Sequence, residues 1–385
     1  MFWISNNFYI GNILSIYLML ILILFSPHNH AEIIFGDEKK LKFQGDFRLR
    51  YENDWDSEQA NGIPREDRER LRIRTRLGAE IEPLAGVTLA ARLRTGPKDG
   101  QQSPHVTIID FEYNPTGNQD AVFDKWFVHY ATSSFWIWGG RNNFPYWKQN
   151  ELFWDDDVTP AGLAAGYDFS DASGKLSFTG GCFTLPDGAI NFHGNLTAGQ
   201  ITYVPNLGNI SLIIAGGIFA FGGEKGSENL LTGNGGRDYM LWVGNAQLKF
   251  NEAQLPITIG VDVMHNSENY SNTDPDPFTV INRDQVDGYV LSIAAGKSRN
   301  PGDWVAGYYY AHLETLAVNA SYAQDDWMRW GNADQTDASN FKGHEFRMGV
   351  TLTKKFGVLA RLYLVDSITT VQDGKRFRID LNYEF

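Results

Sequence analysis

Residues 376–385 read Arg-Phe-Arg-Ile-Asp-Leu-Asn-Tyr-Glu-Phe. Successive side chains on an extended chain point to opposite sides. Phe377, Ile379, Leu381, Tyr383 and Phe385 therefore share one face, and Arg376, Arg378, Asp380, Asn382 and Glu384 the other. A helix would scatter the same residues around its cylinder. The stretch reads as a strand that is apolar on one side and charged on the other.

The same two-residue period recurs upstream. In residues 41–54, Leu41, Phe43, Gly45, Phe47, Leu49 and Tyr51 alternate with Lys42, Gln44, Asp46, Arg48, Arg50 and Glu52. In residues 70–82, Leu71, Ile73, Thr75, Leu77, Ala79 and Ile81 oppose Arg70, Arg72, Arg74, Arg76, Glu80 and Glu82. Residues 87–95 place Val87, Leu89, Ala91 and Leu93 against Thr88, Arg92 and Arg94. Further strands are expected at 121–131, 135–141, 161–169, 175–185, 195–205, 210–222, 239–250, 256–265, 284–297, 303–313, 342–353 and 357–366. With 375–385 this makes about 16 segments, most near the ~9–11 residues that cross a bilayer at a barrel tilt.

The connectors alternate in length. Residues 83–86, 132–134, 170–174, 206–209, 251–255, 298–302 and 354–356 are tight, whereas 55–67, 96–120, 142–160, 186–194, 223–238, 266–283, 314–341 and 367–374 are long. Short periplasmic turns and long extracellular loops have this asymmetry. The fold class expected is all-β: a closed antiparallel transmembrane β-barrel of about 16 strands, occupying residues 32–385 as one domain. Closure is obligatory, since a strand edge facing hydrocarbon leaves peptide groups unpaired at several kcal/mol each. A barrel of ~16 strands is too wide for wall side chains to fill, so a watery lumen is expected.

Residues 1–31 contain no Lys, Arg, Asp or Glu and include the apolar run 10–26. They read as a signal peptide, with a retained anchor helix as the alternative. The single cysteine, Cys182, excludes an intramolecular disulfide, and the net charge of −13 argues against a nucleic-acid partner.

Once the last strand seals against the first, one sector of the inner wall collects Arg376, Arg378, Arg48, Arg50, Arg70, Arg72, Arg74, Arg76, Arg92 and Arg94. Guanidinium stays charged and matches carboxylate or phosphate with a planar fork. The loop 142–160 carries Phe144, Tyr146 and Trp147, then Glu151, Phe153, Trp154, Asp155, Asp156 and Asp157. Folded inward, it would set carboxylates opposite the arginines and constrict the lumen, with Glu151, Trp154, Asp155, Asp156 and Asp157 as constriction residues. The competing reading is a structural ladder, the arginines being neutralised by Asp46, Glu52, Glu80 and Asp380.

The terminal strand resembles the last strand of bacterial outer-membrane β-barrels, which implies that Phe385 takes part in the signal read by the barrel-insertion machinery. Residues 68–82 (RERLRIRTRLGAEIE), VTLAARLRTG and GGRNNFPYWKQNELFWDDDVTPAGLA resemble the bacterial putative-porin family, which is similar to the alginate-export porins. Its most specific part matches Asn143, Pro145 and Trp147, then Leu152, Trp154, Asp155 and Asp157, then Pro160 and Gly162. The resemblance implies an outer-membrane diffusion channel.

The eight histidines lack metal-ligand spacing, and no nucleotide or nucleophile-elbow motif is present. No catalytic residue, metal or cofactor is expected. The sequence thus reads as a passive channel for small hydrophilic solutes, anions being favoured, seated in outer-membrane lipid and open to homotrimer formation. The alternatives are a specific oligo- or polysaccharide channel, a barrel hydrolase (with Ser292 and His344 as the pair to weigh) and an adhesin. In the last, residues 314–341 with Trp327 and Trp330 would form a plug or surface patch.

Overall fold

Antiparallel pairing of neighbours runs unbroken around the chain in a computed structural model that describes residues 32–35, 39–59, 61–117, 119–223, 236–251, 255–270, 277–329 and 338–385. The expected leader over residues 1–31 lies outside them. The strands are β1 (Glu32–Phe35), β2 (Lys39–Trp55), β3 (Arg68–Leu84), β4 (Val87–Thr95), β5 (Val106–Asp110) and β6 (Ala121–Ala131). They continue with β7 (Phe135–Arg141), β8 (Ala161–Asp171), β9 (Gly174–Asp187), β10 (Asn191–Leu207), β11 (Ile210–Gly222) and β12 (Tyr239–Phe250). The last are β13 (Ile257–Asn266), β14 (Asp287–Gly296), β15 (Trp304–Leu313), β16 (Phe341–Thr351), β17 (Phe356–Ser367) and β18 (Asp373–Glu384). Among the described residues one short helix, α1 (Pro277–Asn282), sits in the connector before β14.

Sixteen positions form the wall, as the alternation requires. The strand β1 is a short addition hydrogen-bonded to the start of β2. The strands β4 and β5 share one position: β4 pairs with the lower part of β3 from Arg76 to Leu84, and β5 with its upper part from Arg70 to Ile73. Between them residues 96–105 turn into the interior. Polar residues hide β5 within the long connector 96–120, so the sequence reading runs past it.

The ring closes where β18 pairs with β2, from Lys375↔Trp55 to Glu384↔Asp46. At this seam the Phe385 and Gly45 peptides exchange hydrogen bonds of 3.0 and 3.1 Å. A Cβ on Gly45 would lie 2.5 Å from the Phe385 ring, so glycine is what lets the terminal ring lie on the wall.

Outward positions are apolar and exposed: Leu163, Ile201, Trp242 and Val263 keep half or more of their surface. Such a continuous band belongs against hydrocarbon rather than water. Inward positions divide. Those of β9 to β12 (Phe183, Leu185, Leu196, Phe219, Phe221, Tyr239 and Leu241) are buried under aromatic loops. Those of β18 and β2 to β4 carry the arginines. The lumen is therefore not simply water-filled, because two long connectors fold into it and pack.

Candidate functional site

Register explains how so many guanidiniums coexist on one sector. Acids sit directly across from arginines at Arg50↔Asp380, Asp54↔Arg376, Glu52↔Arg378, Glu52↔Arg70 and Asp46↔Arg76. Like-charge neighbours also occur at Arg48↔Arg74 and Arg50↔Arg72, and each member meets an acid of its own, Asp380 for Arg48 and Arg50, Asp46 for Arg74 and Glu52 for Arg72. Arg50 grips Asp380 through both nitrogens, Nε to Oδ1 at 2.6 Å and Nη2 to Oδ2 at 3.0 Å. Arg48 donates to Asn382 at 2.6 Å. Arg376 pairs with Asp54, Arg70 with Glu52, and Arg92 with Asp124. Arg72 lies 3.5 Å from Glu52 and donates to Ser103 Oγ at 3.1 Å. Among the described residues Arg94 meets no carboxylate. It donates to the Gly100 carbonyl at 2.7 Å and so holds the 96–105 excursion inward.

All ten arginines face the interior, and acids of the wall itself neutralise most of them. Asp46, Glu52 and Asp380 take part as the ladder reading expects. Glu80 does not, accepting instead from Gln44 Nε2 at 2.8 Å.

The loop 142–160 folds inward and divides its labour. Asp157 reaches the sector, 2.8 Å from Arg76 and 3.5 Å from Arg74. Trp154, expected to constrict a passage, is fully buried instead. It stacks on Phe144 at 4.2 Å and on Tyr322 at 5.5 Å between ring centroids. An indole cannot stand in water while such a flat apolar surface is available. Glu151 and Asp155 also miss the arginines. Glu151 accepts from Gln324 at 3.1 Å, and Asp155 Oδ1 accepts the Asp157 amide at 2.7 Å. Asp156 pairs with Lys148 and stays exposed.

A second inward segment, residues 314–329, supplies what the sequence reading missed. Asp326 contacts Arg378 and lies 3.3 Å from Arg361 and 3.6 Å from Arg50. Its neighbour Trp327 packs on Phe341 and Tyr363, while Trp330 lies outside the described residues. A signal was available: QDDWM repeats, in reverse, the tryptophan-beside-acids composition of FWDDD. The loops are tied together, the Asp155 amide to the Tyr322 carbonyl at 2.7 Å and the Gln324 amide to the Glu151 carbonyl at 3.0 Å. Gln101 and Gln102 reach the Ser321 and Ala320 carbonyls from the 96–105 excursion. Of the plug and the surface patch, the described residues 314–329 fit the plug.

The loop carboxyls differ in charge state by environment. Burial, reinforced by Glu151, Asp157 and Asp325, pushes Asp155 well above the usual carboxylate range, and burial likewise raises Glu151 and Asp325. Burial opposes ionisation of Asp157 and Asp326 too, but facing arginines outweigh it and hold both low.

Two cavities lie along the arginine side. One of about 110 Å³ is lined by Arg48, Arg50, Arg74, Arg76, Arg361, Ser103 and His105 and by acids of both loops. The other, about 430 Å³, is lined by Arg76, Arg92, Lys125, Lys148, Phe144 and Trp147. Arg76, Asp155 and Asp156 border both. Ser292 and His344 are not brought together. Ser292 neighbours Gln149 of the inward loop, whereas His344 accompanies Tyr308, in register with exposed Phe346 on the outward face. Among the described residues no metal-ligand cluster occurs.

Residues 61–200 match the family described as putative porin. No curated protein sequence matches the chain. Among solved structures, Pseudomonas putida OprB superposes with a TM-score of 0.56 at 10% identity, over 90% of this chain and 94% of that one. Salmonella typhi OmpF in complex with daunomycin gives 0.53 at 13% identity, over 92% of this chain and 100% of that one. The trimer form of Vibrio cholerae OmpT gives 0.51 at 12% identity, over 91% and 100%. Identities this low speak for the fold alone; the family match speaks for the sequence. The chain has the closed-barrel fold of outer-membrane porins, and residues 61–200 of it match the putative-porin family.

Proposed function

We propose that the protein is a passive diffusion channel for small hydrophilic solutes, with anions favoured along the arginine side of the lumen. The observation that carries this reading is the pair of adjoining cavities bordered by Arg76, on the side of the barrel that the aromatic loop packing leaves polar. Around the smaller cavity stand five arginines and six loop carboxyls. Three of the six, Glu151, Asp155 and Asp325, are biased toward their neutral form. That bias weakens the acidic side of the gap opposite the arginines, and a field set across a narrow polar gap selects by charge.

Reversal potential across a planar bilayer in a salt gradient tests it. A potential of the sign that reports chloride passing in preference to potassium is expected; cation preference, or a silent bilayer, would overturn the reading. A homotrimer belongs to the same proposal, supported by the trimeric form of one similar structure. It would appear in the same recordings as three equal conductance steps per insertion.

A further inference from the structure

The strand β6 contains an irregularity with chemical content. Phe123 and Trp126 both point outward and are about half exposed. Three positions apart, they cannot share a face of a regular strand. The register slips between Arg92↔Lys125 and Leu93↔Phe123, leaving Asp124 as the extra residue of a β-bulge. Two consecutive charged side chains, Asp124 and Lys125, consequently enter the lumen together. Asp124 is consumed by Arg92.

Lys125 borders the cavity of about 430 Å³. The other cations there have acid partners: Arg76 has Asp46 and Asp157, Arg92 has Asp124, and Lys148 has Asp156. The Lys125 ammonium makes no hydrogen bond or ion pair with any described residue. Facing the same space is Trp147, whose backbone is clamped at both ends by Gln200, amide to Oε1 at 2.7 Å and Nε2 to carbonyl at 2.9 Å. Trp147, held by its backbone, and one ammonium with no direct acid partner border a space with room for roughly a dozen waters at ~30 Å³ each.

We propose that this cavity is a binding site for a small monocarboxylate borne on a ring, with the carboxylate on Lys125 Nζ and the ring against Trp147. The assignment rests on the channel reading and deepens it to a substrate class. One unpaired cation matches one negative charge, and a dianion would need a second. The indole surface accepts a flat ring, aromatic or sugar, that a simple ion cannot exploit.

Calorimetric titration of the full-length protein in detergent tests this without any current being measured. The probes are benzoate and glucuronate, with benzyl alcohol and glucose as their neutral counterparts. Either acid is expected to bind more tightly than its neutral counterpart, and which one binds tells an aromatic from a sugar carrier. Lys125→Met should weaken binding about tenfold or more, Lys125→Arg should retain it, and Trp147→Ala should weaken it roughly fivefold. The heat-dependent gel shift of a closed barrel confirms folding of each variant. Binding of neither acid, equal binding of the neutral compounds, or an unchanged Lys125→Met overturns the site. A silent bilayer with benzoate still bound would sink the channel reading and leave the site standing; anion-selective current without binding would do the reverse.

Discussion

The two halves of the inner wall solve one problem in opposite ways. Over β9 to β12 the inward residues are large and apolar, and aromatic side chains of both loops cover them. Over β18 and β2 to β4 they are charged, and acids from the neighbouring strand meet them. The first half can be filled and dried by packing. The second cannot, because a guanidinium needs partners in its own plane and retains water where they run out. A passage, if one side of a lumen must hold it, falls to the charged half. The loop 142–160 belongs to both halves, with Trp154 in the aromatic stack and Asp157, three residues later, on the arginines.

Removing Trp154 should hurt the packed half most. Trp154→Ala leaves a cavity between Phe144 and Tyr322 and is expected to cost about 3–5 kcal/mol of loop packing. Its reading is a larger single-channel conductance and a loss of near-ultraviolet circular dichroism, with barrel strands retained. Unchanged conductance would mean that the stack does not set the width of the lumen.

In the charged half, Asp326→Asn withdraws a carboxylate shared by three guanidiniums. Breaking a buried pair costs ~3–5 kcal/mol when nothing else is available. Here Arg50 keeps Asp380 and Arg378 keeps Glu52, so the low end, about 3 kcal/mol, is expected. A lowered temperature for the gel-shift transition measures it, and stronger anion preference should accompany it.

The smallest effect concerns pH. Asp155 binds its proton more tightly in the folded loop than the ordinary carboxylate pKa of about 3.9 allows. The folded form thus holds a proton that the unfolded form releases, and this contribution declines as pH rises above that value toward the folded pKa. Asp157 runs the other way: its contribution persists at neutral pH and is lost only on strong acidification. From about pH 5 to about pH 8 the gel-shift temperature should fall less in Asp155→Asn than in the wild type. Parallel curves would show that Asp155 is already ionised.

The wall was legible in the sequence because lipid enforces it. With hydrocarbon outside, every second residue must be apolar, and the period of two survives wherever the strand is regular. It fails at β5, where a strand resumes after an inward excursion, and at Phe123–Trp126, where parity cannot be kept without an extra residue. The second failure was readable, since F-D-K-W puts two charges between two outward aromatics. The inward arginines were legible for the same periodic reason. Their partners were only half so. Asp46, Glu52 and Asp380 lie one strand away and follow from register, whereas Asp326 arrives from a loop, and no local rule places a loop. Composition alone would have had to suggest it, through the acids beside Trp327.

Asp326 touches Arg50 of the first wall strand and Arg378 of the last. Those two strands meet nowhere except at the joint that completes the cylinder, so the carboxylate fastens across that joint like a rivet. It cannot do so until the ends have joined. Losing that carboxylate would therefore slacken the joint as well as the loop.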